Sequence, residues 1–442
     1  MILKKLNFPI LILFALNLTI KIPVSAQTKP ADPKMIEEAR ILLHYFDTIY
    51  QKKMLGAIRL PSQAAKIQQL TGEYPAMVEE DLTGWHKTAW SATYTNRVQE
   101  HIDNMKEIWR DKKAIPGMCW HWGNPLTGGG TYTASKVKLT AEQFSNIVTE
   151  GTDEYNKMME DLRKHADYLQ QLTDEDIPLI WRPLHEIDGG WFWWTDQNKP
   201  ENTAKLWRIM YNYLVKEREM HNLIWVYSAG VGNPTKKDLE YRKSFYPGDE
   251  YVDMVGIDLY GFDFRDTGVK EYWNATETYR EAFNTMKELA PDKLIILTET
   301  NAMPNMEKTF NGDPNFAKWL WAMPWWAGND ENPDEWIKKT YTHEKVIMQP
   351  DLPDFEALAT GSINYRQRHD QKQFSLYPVP CSDILSVNPE GEYDLMVYNS
   401  IGQIIDTENS ASAIDIAGLS PGTYLLKIDS GRETVSRKFV KK

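Results

Sequence analysis

The chain has 442 residues, which is long for a single compact domain, so we expect one large domain with a smaller one attached. The formal net charge of −12 argues against a surface that binds nucleic acid. The unusual feature is the presence of 17 tryptophans, several of them clustered. Tryptophan beside polar residues suits sugar rings, because their C–H faces stack on indole while their hydroxyls form hydrogen bonds.

The N-terminal residues have the features of an export signal. Lys4 and Lys5 precede an apolar stretch over residues 6–20, and residues 23–26 end in a pattern of small residues that suits cleavage. We therefore predict a signal peptide over residues 1–26. Polar and helix-breaking residues interrupt the apolar stretch, so a retained membrane anchor is the weaker alternative.

Short apolar runs alternate with longer amphipathic stretches over residues 33–349, as in a parallel α/β fold. We predict eight strands, at residues 54–58, 76–81, 115–122, 178–186, 223–228, 252–260, 293–300 and 319–326. We predict helices at residues 142–170, with Thr140 as the N-cap, at 205–219 and at 275–289. Eight strands separated by helices predict a (β/α)8 TIM barrel. A doubly wound sheet is the alternative, but no glycine-rich phosphate loop follows a strand.

The pattern changes after residue 349. Residues 366–373 are polar and charged, and we interpret them as a linker. Short strands separated by turn residues follow, at residues 384–387, 394–398, 403–405 and 423–428. The sequence therefore predicts a barrel domain over residues 27–365 and a small all-β sandwich over residues 374–442. Cys119 and Cys381 fall in different domains, so we expect no disulfide between them.

The first candidate catalytic residue is Glu186. An apolar strand leads into Arg182, His185, Glu186 and Asp188, and four aromatic residues follow closely. Because residues at the carboxyl end of a barrel strand face the active site, Glu186 is placed where a general acid would protonate a glycosidic oxygen. Aromatic surroundings would raise its pKa and keep it protonated. The alternative is structural: Glu186 pairs with Arg182, and the aromatic residues belong to the core.

The second candidate is Glu299, near the end of the continuously apolar strand 293–300. A charge at the end of so apolar a strand needs a partner or a role. Glu186 and Glu299 are three β/α units apart, which assigns them to the fourth and seventh strands. Two carboxylates at the barrel mouth satisfy the requirement of glycosidic cleavage. One protonates the leaving oxygen, and the other attacks the anomeric carbon or activates water.

The motifs argue against two other classes of hydrolase. His185 and Glu186 begin like the zinc-binding sequence H-E-x-x-H, but Gly189 stands where the second histidine is required. No Gly-x-Ser-x-Gly sequence is present to indicate a serine esterase. We therefore expect neither a metal nor a cofactor.

At these motifs the sequence resembles glycoside hydrolase family 26. The resemblance is carried by Trp181-Arg-Pro-Leu-His-Glu186, by Gly190-Trp-Phe-Trp-Trp194 and by Leu297-Thr-Glu-Thr300, and it extends over residues 38–348. It implies a (β/α)8 retaining enzyme, in most members a β-1,4-mannanase. It also implies that Glu186 is the acid/base and Glu299 the nucleophile.

The resemblance also implies five substrate-binding residues. His121 matches a histidine that contacts the sugar at the cleavage point, and His185 is distinctive because related barrel enzymes usually have asparagine there. Trp191 matches an aromatic residue on the leaving-group side. Tyr260 matches a tyrosine that donates a hydrogen bond to the nucleophile, and Trp325 matches the stacking platform beneath the sugar ring.

Some of these residues also have a purely structural interpretation. His121 could be an internally satisfied barrel histidine, and Tyr260 could pack under a loop. The eighth strand ends in two tryptophans, so Trp326 is an alternative to Trp325 as the platform. The first strand departs from the family pattern, since residues 55–59 lack the usual Gly-x-His turn. Three further tryptophans are expected to be core: Trp120, Trp122 and Trp225.

The C-terminal segment resembles the sorting domain of proteins exported by type IX secretion. The similar stretches are Leu376-Tyr-Pro-Val-Pro380, Asn399-Ser-Ile-Gly402 and Leu419-Ser-Pro-Gly-Thr-Tyr424, and Val379 replaces an asparagine that is usual in the first of them. The resemblance implies an address label that the type IX secretion machinery recognises, and hence a secreted or cell-surface protein. A carbohydrate-binding module is the alternative, but the segment lacks a row of aromatic residues.

The leading hypothesis is a retaining endo-acting enzyme that cleaves β-1,4-mannosidic bonds in mannan, glucomannan or galactomannan. We expect it to act as a monomer and to bind no nucleic acid. A second hypothesis is an enzyme of the same family acting on β-xylan or mixed-linkage glucan. A third, of a different class, is a non-catalytic glycan-binding surface protein, against which the presence of both glutamates argues.

Overall fold

The computed structural model describes residues 29–83, 90–230, 239–260, 264–272, 275–360, 375–377, 381–388, 392–399, 403–429 and 434–442. The predicted signal peptide, residues 1–26, and the predicted linker, residues 366–373, lie outside the described residues. Among the helices that are described, none combines the length and the hydropathy that a membrane span requires.

Eight parallel strands form a closed barrel. They are β1 Met54–Arg59, β2 Met77–Asp81, β3 Ile115–Cys119, β4 Leu179–Arg182, β5 Leu223–Ala229, β6 Met254–Leu259, β7 Leu294–Thr300 and β8 Trp321–Pro324. Each strand pairs with the next, and β8 pairs with β1 through Trp321 and Leu55, which closes the barrel. The predicted (β/α)8 fold is confirmed. Several strands end earlier than predicted, because the chain leaves the hydrogen-bonded ladder to build the loops of the mouth.

Helices surround the barrel and bury one face each. Those described are α1 Glu37–Ile49, α2 Pro61–Thr71, α3 Ala92–Arg110, α4 Tyr132–Ser135, α5 Ala141–Ile147, α6 Asp153–Thr173, α7 Pro200–Tyr211, α8 Leu239–Phe245, α9 Phe264–Thr267, α10 Tyr279–Leu289, α11 Met306–Asn311, α12 Asp334–Tyr341 and α13 Phe355–Ala359. In α10 the buried residues recur at helical spacing: Tyr279, Ala282, Phe283, Met286 and Leu289.

The single helix predicted over residues 142–170 is wrong, because the chain forms α5 and α6 instead. Thr140 is the N-cap of α5 as predicted, and its side chain accepts a hydrogen bond from the backbone of Gln143. The chain then turns at Gly151, whose φ of 90° lies in the left-handed region. Thr152 caps α6 by accepting from the backbone of Tyr155, so a second N-terminal signal restarts the helix.

Two further predicted helices have different limits. Ala275–Thr278 is a strand paired with Val269–Tyr272, and only at Tyr279 does α10 begin. Thr278 and Glu281 form its capping box, which fixes this start. The helix predicted at 205–219 begins earlier, at Pro200, because proline is favoured in the first helical turn. It continues beyond α7 as the π-helical turn Asn212–Glu217.

The helix after the last barrel strand is α12, which ends at Tyr341. The chain then forms a short strand, Val346–Ile347, that pairs with β1 next to Met54 and Leu55. The backbone N–H of Gln349 donates to the carbonyl of Tyr74. This return of the chain to β1 and to the segment before β2 fastens the end of the barrel domain to its beginning.

The C-terminal residues form two antiparallel sheets. The first contains Ser375–Tyr377, Ile384–Asn388 and Ala413–Asp415, and the second contains Tyr393–Tyr398, Ile404–Ala411, Gly422–Asp429 and Thr434–Lys441. Side chains from both sheets, such as Leu385 and Leu426, share one core that is separate from the barrel core. The predicted β-sandwich is therefore confirmed. Cys119 and Cys381 are both buried free thiols.

Candidate active site

Charged side chains from six strand ends or the loops that follow them meet at the mouth of the barrel. They are Arg59, Glu79, Asp81, His121, Arg182, Asp258 and Glu299, and each is less than a tenth exposed. Because parallel strands all end at the same face of a barrel, residues distant in sequence converge there. Such buried charges are stable only when they are paired, so their hydrogen bonds define the site.

Glu299 is held as an anion by two arginines. Its Oε1 accepts a hydrogen bond from Nη1 of Arg59 at 2.8 Å and another from Nη2 of Arg182 at 2.6 Å. Burial alone would raise the pKa of Glu299, but the charges of Arg182 and Arg59 outweigh it and hold the pKa well below its ordinary value. The carboxylate is therefore ionised over the whole physiological range of pH.

The other oxygen of Glu299 faces two aromatic side chains. Its Oε2 accepts a hydrogen bond from the hydroxyl of Tyr260 and one from Nε1 of Trp325 at 3.0 Å. The guanidinium of Arg59 also stacks on the Trp325 ring, 3.8 Å from its centroid. Trp325 is thus the tryptophan that contacts the carboxylate, whereas Trp326 is exposed.

Arg182 pairs with Glu79 and Glu299, so the alternative in which it pairs with Glu186 is wrong. Its Nε and Nη2 donate to the two carboxylate oxygens of Glu79 at 3.1 and 2.7 Å. This two-pronged geometry fixes the plane of the guanidinium and aims it at Glu299. Arg59 also lies 3.1 Å from Glu79, so that one buried carboxylate positions both arginines.

Glu186 follows β4 on a backbone with φ of 48°, in the left-handed region that non-glycine residues seldom adopt. Its Oε2 accepts a hydrogen bond from Nε1 of Trp191 at 2.5 Å. Two glycines make room for this contact: a Cβ on Gly189 would lie 2.4 Å from the Trp191 ring, and one on Gly230 would lie 3.1 Å from the Cβ of Glu186. Strained backbone of this kind concentrates at functional sites.

The two glutamates differ in protonation. Burial, followed by the negative charges of Asp258 and Glu299, raises the pKa of Glu186 well above its ordinary value. Glu299 has its pKa lowered by the two arginines described above. The mouth of the barrel therefore holds one carboxyl group with a raised pKa and one with a lowered pKa, which suit the acid and the anion that glycosidic cleavage requires.

His121 and His185 lie side by side next to this pair. The Nδ1 of His121 lies 2.5 Å from Oδ2 of Asp81, and its Nε2 lies 3.1 Å from Nε2 of His185. Burial, followed by the nearby charges of His121 and Arg182, lowers the pKa of His185 well below its ordinary value. His185 is therefore neutral, and one of its ring nitrogens lies within hydrogen-bond distance of His121.

Asp258 is a buried carboxylate that the sequence did not single out. Its Oδ1 accepts a hydrogen bond from the hydroxyl of Ser228 at 2.9 Å, and its Oδ2 lies 3.5 Å from Nη1 of Arg182. Burial, followed by the charge of Glu299, raises the pKa of Asp258 to about 7. It contributes to the raised pKa of Glu186, so its ionisation helps to set the state of that group.

The loop that carries Glu186 and Trp191 is anchored by Asp188. Its Oδ1 accepts from the backbone N–H of Gly230 at 2.7 Å, and its Oδ2 accepts from Nη1 of Arg242 at 2.6 Å. Asp188 thereby ties the end of β5 to the loop after β4, and this connection keeps Trp191 against Glu186.

Two groups of possible metal ligands occur among the described residues at the mouth. In the group of Glu79, Cys119 and Glu299, the guanidinium of Arg59 lies among the ligand atoms and donates to Glu299 and Cys119. In the group of Asp81, Cys119 and His121, the Nδ1 of His121 already bonds to Asp81. In both groups, the atoms that could bind a metal already contact a cation or a hydrogen-bond donor of the protein itself.

The clustered tryptophans divide into core and site. Trp120, Trp122 and Trp225 are buried, as predicted. Of the cluster after Glu186, Trp193 and Trp194 are also buried, and Trp191 is the one that donates a hydrogen bond to Glu186. Arg59, Glu79, Asp81 and Asp258 also belong to the site, although no sequence motif indicated them. A charge in a buried barrel strand, as at Arg59 and Asp258, marks a position that needs a partner, but the partner itself cannot be read from the strand.

A closed (β/α)8 barrel with two oppositely ionised carboxyl groups at its mouth is characteristic of glycoside hydrolases. Residues 31–350 match the sequence model described as Glycosyl hydrolase family 26. The chain belongs to this family. Residues 375–442 match the model described as Secretion system C-terminal sorting domain. Both resemblances drawn from the sequence are therefore confirmed.

Individual relatives agree with this assignment. The chain is 30% identical over 340 residues to mannan endo-1,4-beta-mannosidase B of Piromyces sp. The aligned region covers 73% of this chain and 53% of that protein. It is 27% identical to the mannan endo-1,4-beta-mannosidase of Thermothelomyces thermophilus, over 74% of this chain and 63% of that one. The chain thus spans about half to two thirds of the length of these curated relatives.

A similar solved structure is the β-mannanase from a symbiotic protist of the termite Reticulitermes speratus, in complex with a gluco-manno-oligosaccharide. The two structures superpose with a TM-score of 0.61 and a sequence identity of 27%. The match covers 74% of this chain and 98% of that one. The family 26 domain of an endo-β-mannanase/endo-β-glucanase from Prevotella bryantii has a TM-score of 0.58 at 26% identity, over 73% of this chain and 99% of that one.

Proposed function

We propose that the protein is a retaining endo-β-1,4-mannanase, with Glu299 as the nucleophile and Glu186 as the acid/base. The observation that carries this proposal is the opposite ionisation of the two groups. Two buried arginines keep Glu299 charged, whereas burial and neighbouring carboxylates keep Glu186 protonated. A nucleophile must be ionised and a general acid must hold its proton, so the environments match the roles.

In the first step, the Oε2 of Glu299 attacks the anomeric carbon while Glu186 gives its proton to the glycosidic oxygen. The bond from the anomeric carbon to that oxygen breaks, and the leaving chain departs with a hydroxyl group. Because Arg59 and Arg182 both hold Oε1, the other oxygen faces the substrate. Tyr260 and Trp325 orient Oε2 through their hydrogen bonds.

In the second step, Glu186 takes a proton from water, and the water oxygen attacks the anomeric carbon to release Glu299. The structure supports this change of role. The charge of Glu299 is one cause of the raised pKa of Glu186, and that charge disappears when Glu299 forms the covalent bond. The pKa of Glu186 therefore falls in the intermediate, which is when a base is needed.

The remaining site residues are proposed substrate contacts. Trp191 lies against Glu186 and so belongs to the side of the leaving group. His121 and His185 form a polar edge beside the pair. Trp325 is favoured over Trp326 as the platform beneath the reacting sugar, because only Trp325 contacts Glu299. The mannan-type substrate is inferred from the relatives, which are mannan endo-1,4-beta-mannosidases by name.

Two variants test the assignment of roles. Glu299→Ala should abolish turnover of every substrate, because no covalent intermediate can form. Glu186→Ala should lose activity on mannan but keep the first step on aryl β-mannobiosides, whose good leaving groups need no proton. Stopped-flow measurement of aryl alcohol release would show this burst. An equal loss on both kinds of substrate would show that Glu186 is not the acid.

The polysaccharide is tested by a panel of substrates. Reducing ends released from mannan, galactomannan, glucomannan, xylan and lichenan would be measured with the purified enzyme. We expect the three mannans to be cleaved with retention of configuration, which proton NMR of the first products reports. Cleavage of xylan or lichenan alone would favour the second hypothesis from the sequence.

We also propose that the protein is exported in two stages. A signal peptide over residues 1–26 would direct it across the inner membrane, and residues 374–442 would direct it through the type IX secretion machinery to the cell surface or medium. The match of residues 375–442 to a secretion sorting domain supports the second stage. The proposed limits of the barrel domain, residues 27–365, enclose the whole of the family 26 match.

A further inference from the structure

The loop that carries Trp191 has little rigidity of its own. Two glycines directly precede this tryptophan, and the second, Gly190, has a φ of 85°. Because glycine leaves the backbone freer than other residues do, such a loop needs contacts from outside to keep one conformation. Asp188 anchors the start of the loop. The indole of Trp191 must also stay in place, since its Nε1 donates a hydrogen bond to Glu186.

Lys138 holds the backbone on both sides of Trp191. It lies between α4 and α5, and its Nζ donates to the carbonyl of Gly190 at 2.5 Å and to the carbonyl of Phe192 at 2.8 Å. These carbonyls belong to the residues immediately before and after Trp191. Hydrogen bonds from a charged donor are stronger than those from a neutral one. One ammonium group therefore bridges the two residues that flank the tryptophan and fixes the backbone from which the indole extends.

The segment that carries Lys138 is itself fixed by the loop after β3. Asn124 is buried, and its Nδ2 donates to the carbonyl of Val137 at 2.7 Å. The backbone N–H of Trp193 donates to the carbonyl of Ser135 at 2.8 Å, which joins the same segment to the end of the Trp191 loop. The chain from α4 to Lys138 is therefore a support on which the loop after β4 rests.

The hydrogen bond from Trp191 opposes the groups that raise the pKa of Glu186. Burial and the charges of Asp258 and Glu299 raise this pKa, whereas the bond from Trp191 and the charge of Arg182 lower it. The N–H of Trp191 stabilises the ionised form of the carboxyl group, which is the form left after the proton has been given away. A displaced Trp191 would therefore raise the pKa of Glu186 further and make it a weaker acid.

We propose that Lys138 is a positioning residue for the acid/base, because it holds Trp191 where the indole N–H reaches Glu186. The proposal rests on the proposed function, since it takes Glu186 as the acid/base. Lys138 acts on Glu186 through Trp191 and through the two carbonyls that flank it. Loss of Lys138 should therefore impair the steps that need the proton of Glu186 more than the steps that do not.

Two substitutions at Lys138 test this in the full-length enzyme. Lys138→Met removes the donors and keeps most of the apolar stem. On mannan, kcat/KM should fall about tenfold, and its alkaline limb should move to higher pH because the pKa of Glu186 rises. On aryl β-mannobiosides with good leaving groups, the first release of aryl alcohol should change by less than about twofold. Lys138→Arg, which keeps charged N–H donors, should retain most of the activity on mannan.

Two further variants separate this role from a general effect. In a Trp191→Phe background, which lacks the indole N–H, Lys138→Met should shift the alkaline limb no further. Lys52→Met is the matched control. Lys52 is also an exposed lysine, and its Nζ donates to the carbonyl of Thr48 at 2.9 Å, before β1 and so at the amino end of the barrel. Its loss should change neither the rate nor the limb.

The outcomes distinguish the inference from the function on which it rests. An unmoved alkaline limb in Lys138→Met, an equal loss on mannan and aryl mannobiosides, or the same shift in the Trp191→Phe background would overturn the inference. Each of these results leaves the proposed function intact, because Glu186→Ala tests that function independently. If Glu186→Ala loses activity equally on both kinds of substrate, the proposed function itself fails.

Discussion

At the mouth of the barrel, the charge of one carboxyl group sets the protonation of another. The pKa of Glu186 is raised because its carboxyl group is largely removed from water and because Asp258 and Glu299 are negatively charged nearby. Glu299 is ionised because two arginines share its Oε1. The roles of the two glutamates therefore follow from their neighbours and not from their own chemistry, which is identical.

The first prediction concerns the alkaline side of the pH profile. Activity requires protonated Glu186, so kcat/KM should fall as the pH rises through the pKa of that group. Asp258→Asn removes one of the negative charges that raise this pKa. The alkaline limb should therefore move to lower pH. Asp253→Asn, which alters a buried carboxylate that binds the backbone of Ala31 and Trp225, is the matched control. An unmoved limb in Asp258→Asn would contradict the coupling.

The second prediction concerns the acidic side. Arg59→Met removes one of the two cations that lower the pKa of Glu299, so that pKa should rise and the acidic limb of kcat/KM should move to higher pH. Stability should also fall by about 3–5 kcal/mol, because buried carboxylates lose a partner. Arg242→Met removes an arginine that pairs with Asp188 and not with Glu299, so it should leave the acidic limb in place. Both variants would be measured by pH–rate profiles and by urea unfolding.

The sequence allowed some of this site to be predicted. Glu186 and Glu299 were recognisable because each interrupts or ends an apolar strand with a charge. Arg59 and Glu79 were not recognised, because their importance lies in pairs that join β1, β2, β4 and β7. Such pairs depend on barrel closure and register, which no local pattern encodes. The protonation of Glu186 likewise depends on Asp258, from another strand.

At the scale of single elements, the predicted limits of two helices were wrong because helix caps set the true starting points. The predicted helix runs through both α5 and α6, whereas the apolar spacing stops between Val148 and Tyr155, where Gly151 and Thr152 mark the interruption. The strand Ala275–Thr278 falls within the predicted helix 275–289, but two of its four residues are threonine, which favours strands, and it pairs with Val269–Tyr272. Element types could be predicted from sequence, whereas their limits depended on these contacts.

The third prediction tests one cap. The side chain of Thr278 accepts a hydrogen bond from the backbone of Glu281 and begins α10. Thr278→Ala should reduce the free energy of unfolding by about 1 kcal/mol. Thr285→Ala is the matched control, since that hydroxyl donates to the carbonyl of Glu281 within the same helix and alanine is the better helix former. A larger loss in Thr285→Ala than in Thr278→Ala would show that the cap is not what stabilises α10.

At the scale of the whole molecule, two cores form without sharing side chains. The barrel core includes residues from α1 through Phe355, and the C-terminal core begins at Cys381. The short strand Val346–Ile347 completes the barrel beside β1 before the C-terminal residues begin. Each domain therefore has the internal packing that independent folding requires.

The fourth prediction follows from this division. A shortened protein comprising residues 27–368 should fold cooperatively and keep its kcat/KM on soluble mannan. In the native host, deletion of residues 374–442 should leave the enzyme in the periplasm, which fractionation and activity staining would show. Normal export combined with weaker action on insoluble mannan would instead identify the C-terminal domain as a carbohydrate-binding module.

Each domain also carries one built-in chemical reporter. Cys119 lies within the barrel and Cys381 within the C-terminal core, and burial raises the pKa of both thiols above the ordinary value. A thiol that is both inaccessible and protonated does not react with alkylating reagents until its surroundings open. Labelling of each cysteine by iodoacetamide would be measured by mass spectrometry in increasing concentrations of urea. The result would give, for each domain separately, the urea concentration at which it opens within the intact chain.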